Sequence, residues 1–247
     1  MTSTTPDTDR WVLARHRLRD DALGVVLLWA GFAVFVFAMV FAIAAFRPIE
    51  VSGWETGSQI PRWFAGAVGI YLTAVYLPLY IAHGYTRRES ARQLGAATAG
   101  TITVMAALMT LGYAVERAVY AVAGWPQALT QPHLYDTATN YPLVFVEFLL
   151  LFTVWTAAGA FTGAAIYRNP ANGLFAIPIG IVMIGMAEAA LSPGLFELVT
   201  TFAGWLGLAT DGVSVTASIA ITVGCLAVAL PATWWFVRDL PLRNQRG

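Results

Sequence analysis

Lysine is missing from this chain altogether, and all 14 basic side chains are arginine. A phosphate-cradling glycine loop needs a lysine after its glycines, so the chain cannot hydrolyse nucleotide by itself. Cysteine is nearly missing as well. The one thiol, Cys225, lies inside an apolar run, which excludes a disulfide within one chain and a thiol cluster for metal. Histidine is scarce, and His16, His83 and His133 all fall in segments that flank the apolar runs. A haem held between helices through histidine is therefore excluded. No buried serine with histidine, aspartate pair or zinc motif is assembled for intramembrane proteolysis. The expectation is a chain that is not an enzyme, with no catalytic residue, no metal ligands and no cofactor of its own.

Charge is thin too: 11% of the 247 residues are charged against 58% hydrophobic, and the mean hydropathy is +0.66. That balance cannot cover the surface of a soluble domain of this length. What is there instead is a series of apolar runs near the ~20 residues needed to cross a bilayer. They read as Ala22 to Phe46, Trp63 to Ala82, Ala96 to Ala123, Tyr141 to Tyr167, Leu174 to Leu191 and Val215 to Phe236. Alternating strand patterns are absent, so a barrel is disfavoured. The first run is too long for a cleavable signal and is expected to remain as a span. The fold class is thus an all-α polytopic membrane protein with six transmembrane helices over residues 22–236.

Arginine placement gives an orientation. Arg10, Arg15, Arg17 and Arg19, then Arg87, Arg88 and Arg92, then Arg168, then Arg238, Arg243 and Arg246 fall on one side of the six runs. Only Arg47 and Arg62 fall opposite, with Arg117 near a span end. The arginine-rich side is expected to be cytoplasmic, which puts segment 1–21 and tail 237–247 there.

Within segment 1–21, Trp11, Ala14 and Leu18 share one helical face between Asp9 and Arg19, which predicts an amphipathic interface helix before the chain turns into the first span. Between spans two and three, Thr86 and Glu89 have the spacing of a capping box, predicting a short helix from Arg87 over about 86–94. Its arginines hold the loop inside, but a capped cationic helix is more than topology needs. Docking of a cytoplasmic protein is the expected further role. The segment about 192–213 is largely apolar, includes Trp205 and is broken by Gly194, Gly204 and Gly207. It is too short to span, so a re-entrant segment before the last span is expected.

Charges inside apolar runs point to function or to specific pairing. Glu147 and Glu188 lie at similar depths near the outer ends of the fourth and fifth spans, and Glu116 sits beside Arg117 near the outer end of the third. Two readings stay open for Glu116, Arg117, Glu147 and Glu188: a polar rim on a translocation route, or a structural ion pair of Arg117 with Glu147 or Glu188. Gly159 and Gly163 form a GxxxG spacing in the fourth span, expected to let helices of one subunit pack closely.

Taken with the six spans, the amphipathic N-terminal helix and the re-entrant segment, the stretch Gly84-Tyr85-Thr86-Arg87-Arg88-Glu89 resembles the first cytoplasmic loop of ABC-2 type ABC transporter permeases. The resemblance covers nearly the whole chain. It implies the membrane subunit of a bacterial exporter working by alternating access, paired with a second permease copy or a homologous permease in the plasma membrane. It also implies separate cytoplasmic ABC ATPase subunits that hold ATP and Mg, with Tyr85, Thr86, Arg87, Arg88, Glu89 and Arg92 as the coupling segment against them. Relatives export drugs, lipids, peptides or polysaccharides, and no nucleic-acid partner is expected. The alternatives are a non-transporting sensor, immunity or assembly subunit, or an autonomous carrier, although the internal repeats of many carriers are not evident.

Overall fold

The computed structural model describes residues 12–191 and 215–238, all helix and loop with no strand among them. The elements in order are α1 (Val12–Ala44), α2 (Gly53–Gly57), α3 (Gln59–Tyr71), a π-helical segment (Leu72–Tyr76), α4 (Leu77–Ala82), α5 (Arg87–Ala123), α6 (Tyr141–Arg168), a 3-10 turn (Pro170–Asn172), α7 (Gly173–Leu191) and α8 (Val215–Arg238). Six helical stretches are long and apolar enough to cross a membrane, and they coincide with the six predicted runs. The second is longer than expected: helix begins at Gly53 and continues through α2, α3, the π segment and α4.

Two expectations are changed by continuity. From Val12 the backbone is helical and runs unbroken into the first span, where a turn after an interface helix was expected. Residues 12–22 contain neither glycine nor proline, so nothing in them breaks a helix. The remainder of the amphipathic segment, the re-entrant segment 192–213 and the tail beyond Arg238 lie outside the described residues. At the start of α5 the predicted cap is present: Thr86 is extended, and its hydroxyl accepts the Glu89 N–H at 3.2 Å. The helix that begins there is not short, however. It runs 37 residues to Ala123, because Gly95 and Gly100 are tolerated within a helix and no proline interrupts it.

Helix α6 is the hub, buried along most of its length and packed against α3, α5, α7 and α8. A helix apolar all round has no face to give to solvent. Its closest partner is α3, and glycine is the reason. A Cβ on Gly159 would strike the carbonyl of Gly66, and one on Gly69 would strike that of Thr156. A Cβ on Gly163 would likewise lie only 2.6 and 2.5 Å from Ile70 O and Thr73 Oγ1. The GxxxG pair therefore packs helices within one chain, as expected, and backbones at this separation gain dispersion contact that larger side chains would prevent. Thr73, in the π segment, adds a hydrogen bond to Ala160 O at 2.9 Å. Helix α6 stops at Asn169 because Pro170 disfavours a helical residue before it. Asn169 then accepts the Ala171 N–H at 3.1 Å, opening the turn into α7.

The two ends of the bundle differ. At one, Leu77, Leu94, Ala164 and Val237 pack together, and Arg168 donates to the Trp235 carbonyl at 3.4 Å. Arg87, Arg88, Arg92, Arg168 and Arg238 thereby gather at a single end. The other end is closed by residues 45–58 and 125–140.

Candidate functional site

The closed end is built on carboxylates, starting with the segment that opens the second span. Ser52 caps α2 by accepting the Glu55 N–H at 3.1 Å and, with the same hydroxyl, donates to Glu116 Oε2 at 2.7 Å. Glu116 also accepts the Trp54 N–H at 2.8 Å and the Gln127 amide at 2.8 Å. Three neutral donors thus satisfy this buried carboxylate of α5. Trp54 is seated because Gly112 leaves room for its ring, and its indole donates to Met109 O at 3.1 Å.

Beside it, Glu55 and Glu147 hold the 125–140 segment. Glu55 accepts the backbone N–H groups of Thr130 and Gln131, each at 2.8 Å, and Glu147 accepts that of Leu134 at 2.8 Å. His133 lies between the two acids, Nδ1 2.7 Å from Glu147 and Nε2 3.1 Å from Glu55. Both ring nitrogens face carboxylate oxygens, so both donate, which defines the cationic imidazole. Burial opposes that charge, but hydrogen bonds and charge from Glu147 and Glu55 outweigh it and push the His133 pKa up to about 9. Tyr135 stacks on the ring with centroids 4.5 Å apart and donates to the Tyr113 hydroxyl at 3.2 Å. Burial pushes its phenol well above the ordinary range, so it stays a neutral donor.

The third unit is an ion pair. Arg62 Nη1 donates to Glu188 Oε2 at 2.5 Å, with both side chains only 2% exposed. The Trp155 indole donates to Glu188 Oε1 at 2.9 Å. Arg62 also reaches Ser58 Oγ at 3.4 Å and lies over the Phe148 ring. This pair joins α3 to α7 across α6.

Of the four intramembrane residues singled out from sequence, Glu116, Glu147 and Glu188 are buried at this one end, but Arg117 is not with them. It is exposed and pairs with none of the described residues, so the expected ion pair of Arg117 with Glu147 or Glu188 is replaced by Arg62 with Glu188 and His133 with Glu147. The reason is geometric: neighbours in a helix point about 100° apart, so burying Glu116 turns Arg117 outward. Sequence reasoning missed Arg62, Glu55 and His133, which it assigned to loops. A signal was available in the pairing of Glu55 and Arg62 seven residues apart, two turns of one helix face. Tyr85, Arg87, Arg88, Glu89 and Arg92 lie at the far end, remote from this network, where Gln93 donates to Glu89 at 2.8 Å and Arg92 stands 3.9 Å from it.

Each carboxylate oxygen of the network accepts at least one hydrogen bond. Among the described residues no group of three or more His, Cys, Asp or Glu side chains is placed to hold a metal ion. What the arrangement does is fasten α2, α3, α5, α6, α7 and the 125–140 segment together through charges that cannot be withdrawn singly without a large penalty. The fold and site define an all-helical chain of six membrane-length helices with a buried polar cap at one end and an arginine cluster at the other. Comparison with protein-family models, curated proteins and solved structures finds no match.

Proposed function

We propose that the chain is the permease subunit of an ABC-2 type exporter in a bacterial plasma membrane, moving substrate by alternating access under the drive of separate ATPase subunits. The observation that supports this best is the construction of α5. Its first turn is a capped, cationic helix start with Arg88 exposed, and the same unbroken helix carries Glu116 into the polar cap. From Arg87 to Glu116 is about 43 Å of helix at roughly 1.5 Å per residue. A push at one end is therefore transmitted as rigid-body motion to the other, without a loop to absorb it.

In this mechanism both termini are cytoplasmic, as the arginine asymmetry requires. The chain pairs with a second copy or a homologous permease. Two ATPases bind the Tyr85 to Arg92 segment, and their closure on ATP and Mg tilts α5. Tilting strains the bonds from Glu116 to Ser52, Trp54 and Gln127, and the 125–140 segment moves with them. The polar cap then acts as the outer gate, closed in the arrangement described above.

The test replaces Arg87 and Arg88 by glutamine, leaving Arg92 and the other arginines to hold topology. ATPase co-purification and substrate-stimulated hydrolysis are measured in the reconstituted complex, and a Thr86→Ala, Glu89→Ala variant is run beside it. Both variants are expected to lose association or coupling while cysteine labelling reports unchanged orientation. Unaltered association and coupling in both would remove the coupling assignment.

A further inference from the structure

Between α1 and the start of α3 the bundle leaves a lateral opening that belongs neither to the polar cap nor to the arginine end. Helix α1 packs on α5 and α2, and the gap beside it forms a groove of about 520 Å³. Phe35, Met39 and Ile43 of α1 form one wall and Ile60 stands on the other. Polar groups gather at the mouth, where Arg47 and Glu50 follow the end of α1. Both are exposed, and neither makes an ion pair with a described residue. Arg47 has no evident structural duty, unlike Arg62, and an arginine on this side works against the charge bias that orients the chain.

The dimensions select the occupant. From Phe35 to the end of α1 at Ala44 is about 14 Å, close to half of a hydrocarbon core roughly 30 Å thick. The groove thus runs from the membrane surface to mid-bilayer, the depth of one leaflet. Phe35, Met39 and Ile60, exposed along that length, give an extended hydrocarbon chain an apolar surface to lie against.

We propose that the groove binds one acyl chain of a phospholipid from the adjoining leaflet whose headgroup carries a phosphate and a primary ammonium, as phosphatidylethanolamine does. The phosphate sits on Arg47 and the ammonium on Glu50. An acyl chain that leaves lipid for an apolar groove gains no hydrophobic energy, so selectivity resides in these two charges. A phosphatidylglycerol headgroup would satisfy Arg47 and leave Glu50 facing an anion without a cation. The methylated ammonium of phosphatidylcholine has no N–H to donate to Glu50. This inference stands independently of the transporter reading.

The test uses the full chain in phosphatidylcholine nanodiscs doped with a trace lipid whose acyl terminus carries a photoreactive diazirine. Phosphatidylethanolamine, phosphatidylglycerol and phosphatidylcholine probes are compared, and labelling is mapped by peptide mass spectrometry. The phosphatidylethanolamine probe is expected to label the Phe35 to Ile43 stretch about tenfold more than the other two, the worth of one charge-assisted hydrogen bond. Ile60→Trp, which fills the groove, should remove that labelling without changing labelling at Leu111 on the lipid-facing side of α5. Glu50→Gln should let the phosphatidylglycerol probe label as strongly as phosphatidylethanolamine, a gain that misfolding cannot mimic. Equal labelling by all three probes in the unmodified chain would overturn the proposal, as would a preference that survives Arg47→Gln with Glu50→Gln.

Discussion

The Arg62–Glu188 pair offers the sharpest test of the polar cap, because its two halves fail differently. With both side chains 2% exposed and 2.5 Å between charged atoms, removing one partner leaves the other buried without its counter-charge. The general cost is about 3–5 kcal/mol. A guanidinium cannot escape that cost by losing its proton, so Glu188→Gln should carry the full penalty at any pH between 5 and 8. A carboxylate can escape by gaining one. For a carboxyl of ordinary acidity, protonation costs about 3.7 kcal/mol at pH 7 and about 1.6 at pH 5.5, from roughly 1.36 kcal/mol per unit. Arg62→Met should therefore be as destabilised as Glu188→Gln at pH 7 and recover about 2 kcal/mol, relative to the unmodified chain, at pH 5.5. The double variant Arg62→Met, Glu188→Gln keeps an acceptor for the Trp155 indole and buries no charge, so it should be more stable than Glu188→Gln alone. The assay is reversible unfolding in mixed micelles with increasing denaturing detergent, at both pH values. Parallel pH profiles for the two single variants, or a double variant no better than Glu188→Gln, would show that no uncompensated charge is buried when one partner is removed.

His133 supplies a pH dependence of its own. Its pKa rises from 6.5 to about 9 on folding, so its stabilisation is fully present below about pH 6.5 and is lost as pH climbs through about 9, some 3 kcal/mol in all. His133→Gln should remove that slope, and matching pH–stability curves for the two proteins would contradict it. At the α3–α6 contact, Gly159→Ala drives a methyl into the Gly66 carbonyl and should cost about 1–3 kcal/mol, whereas Gly31→Ala, with nothing near its Cβ, should gain about 0.5–1. Melting temperatures of both variants check the pair. Single cysteines at Thr137 and Asn172 in a Cys225→Ser background should react from opposite sides of intact cells, and labelling of both from outside would remove the six-span orientation.

The spans were legible because length and apolarity are one-dimensional properties, and Glu116, Glu147 and Glu188 stood out because a charge inside such a run has few innocent explanations. Their partners were hidden for a different reason. Residues 47–62 carry Arg47, Glu50, Glu55 and Arg62 with Gly53 and Gly57, a composition that reads as loop. The cap from Ser52 is local, but the bonds from Ser52 and Trp54 to Glu116 that fix the helix in place cross more than 60 positions of sequence. His133 read as a flanking residue because nothing local shows that two carboxylates enclose it. The cap at Thr86 was legible because its whole mechanism fits in four residues, but the length of α5 was not, since a capping box fixes where a helix starts and says nothing of where it ends.

Drive by a separate ATPase docked at the start of α5 is checked by solubilising native membranes and purifying the chain with its neighbours intact. A cytoplasmic ATPase is expected in stoichiometric amount, released when Arg87 and Arg88 are both glutamine. A chain that purifies from native membranes without any ATPase, properly folded by its His133 pH signature, would contradict it.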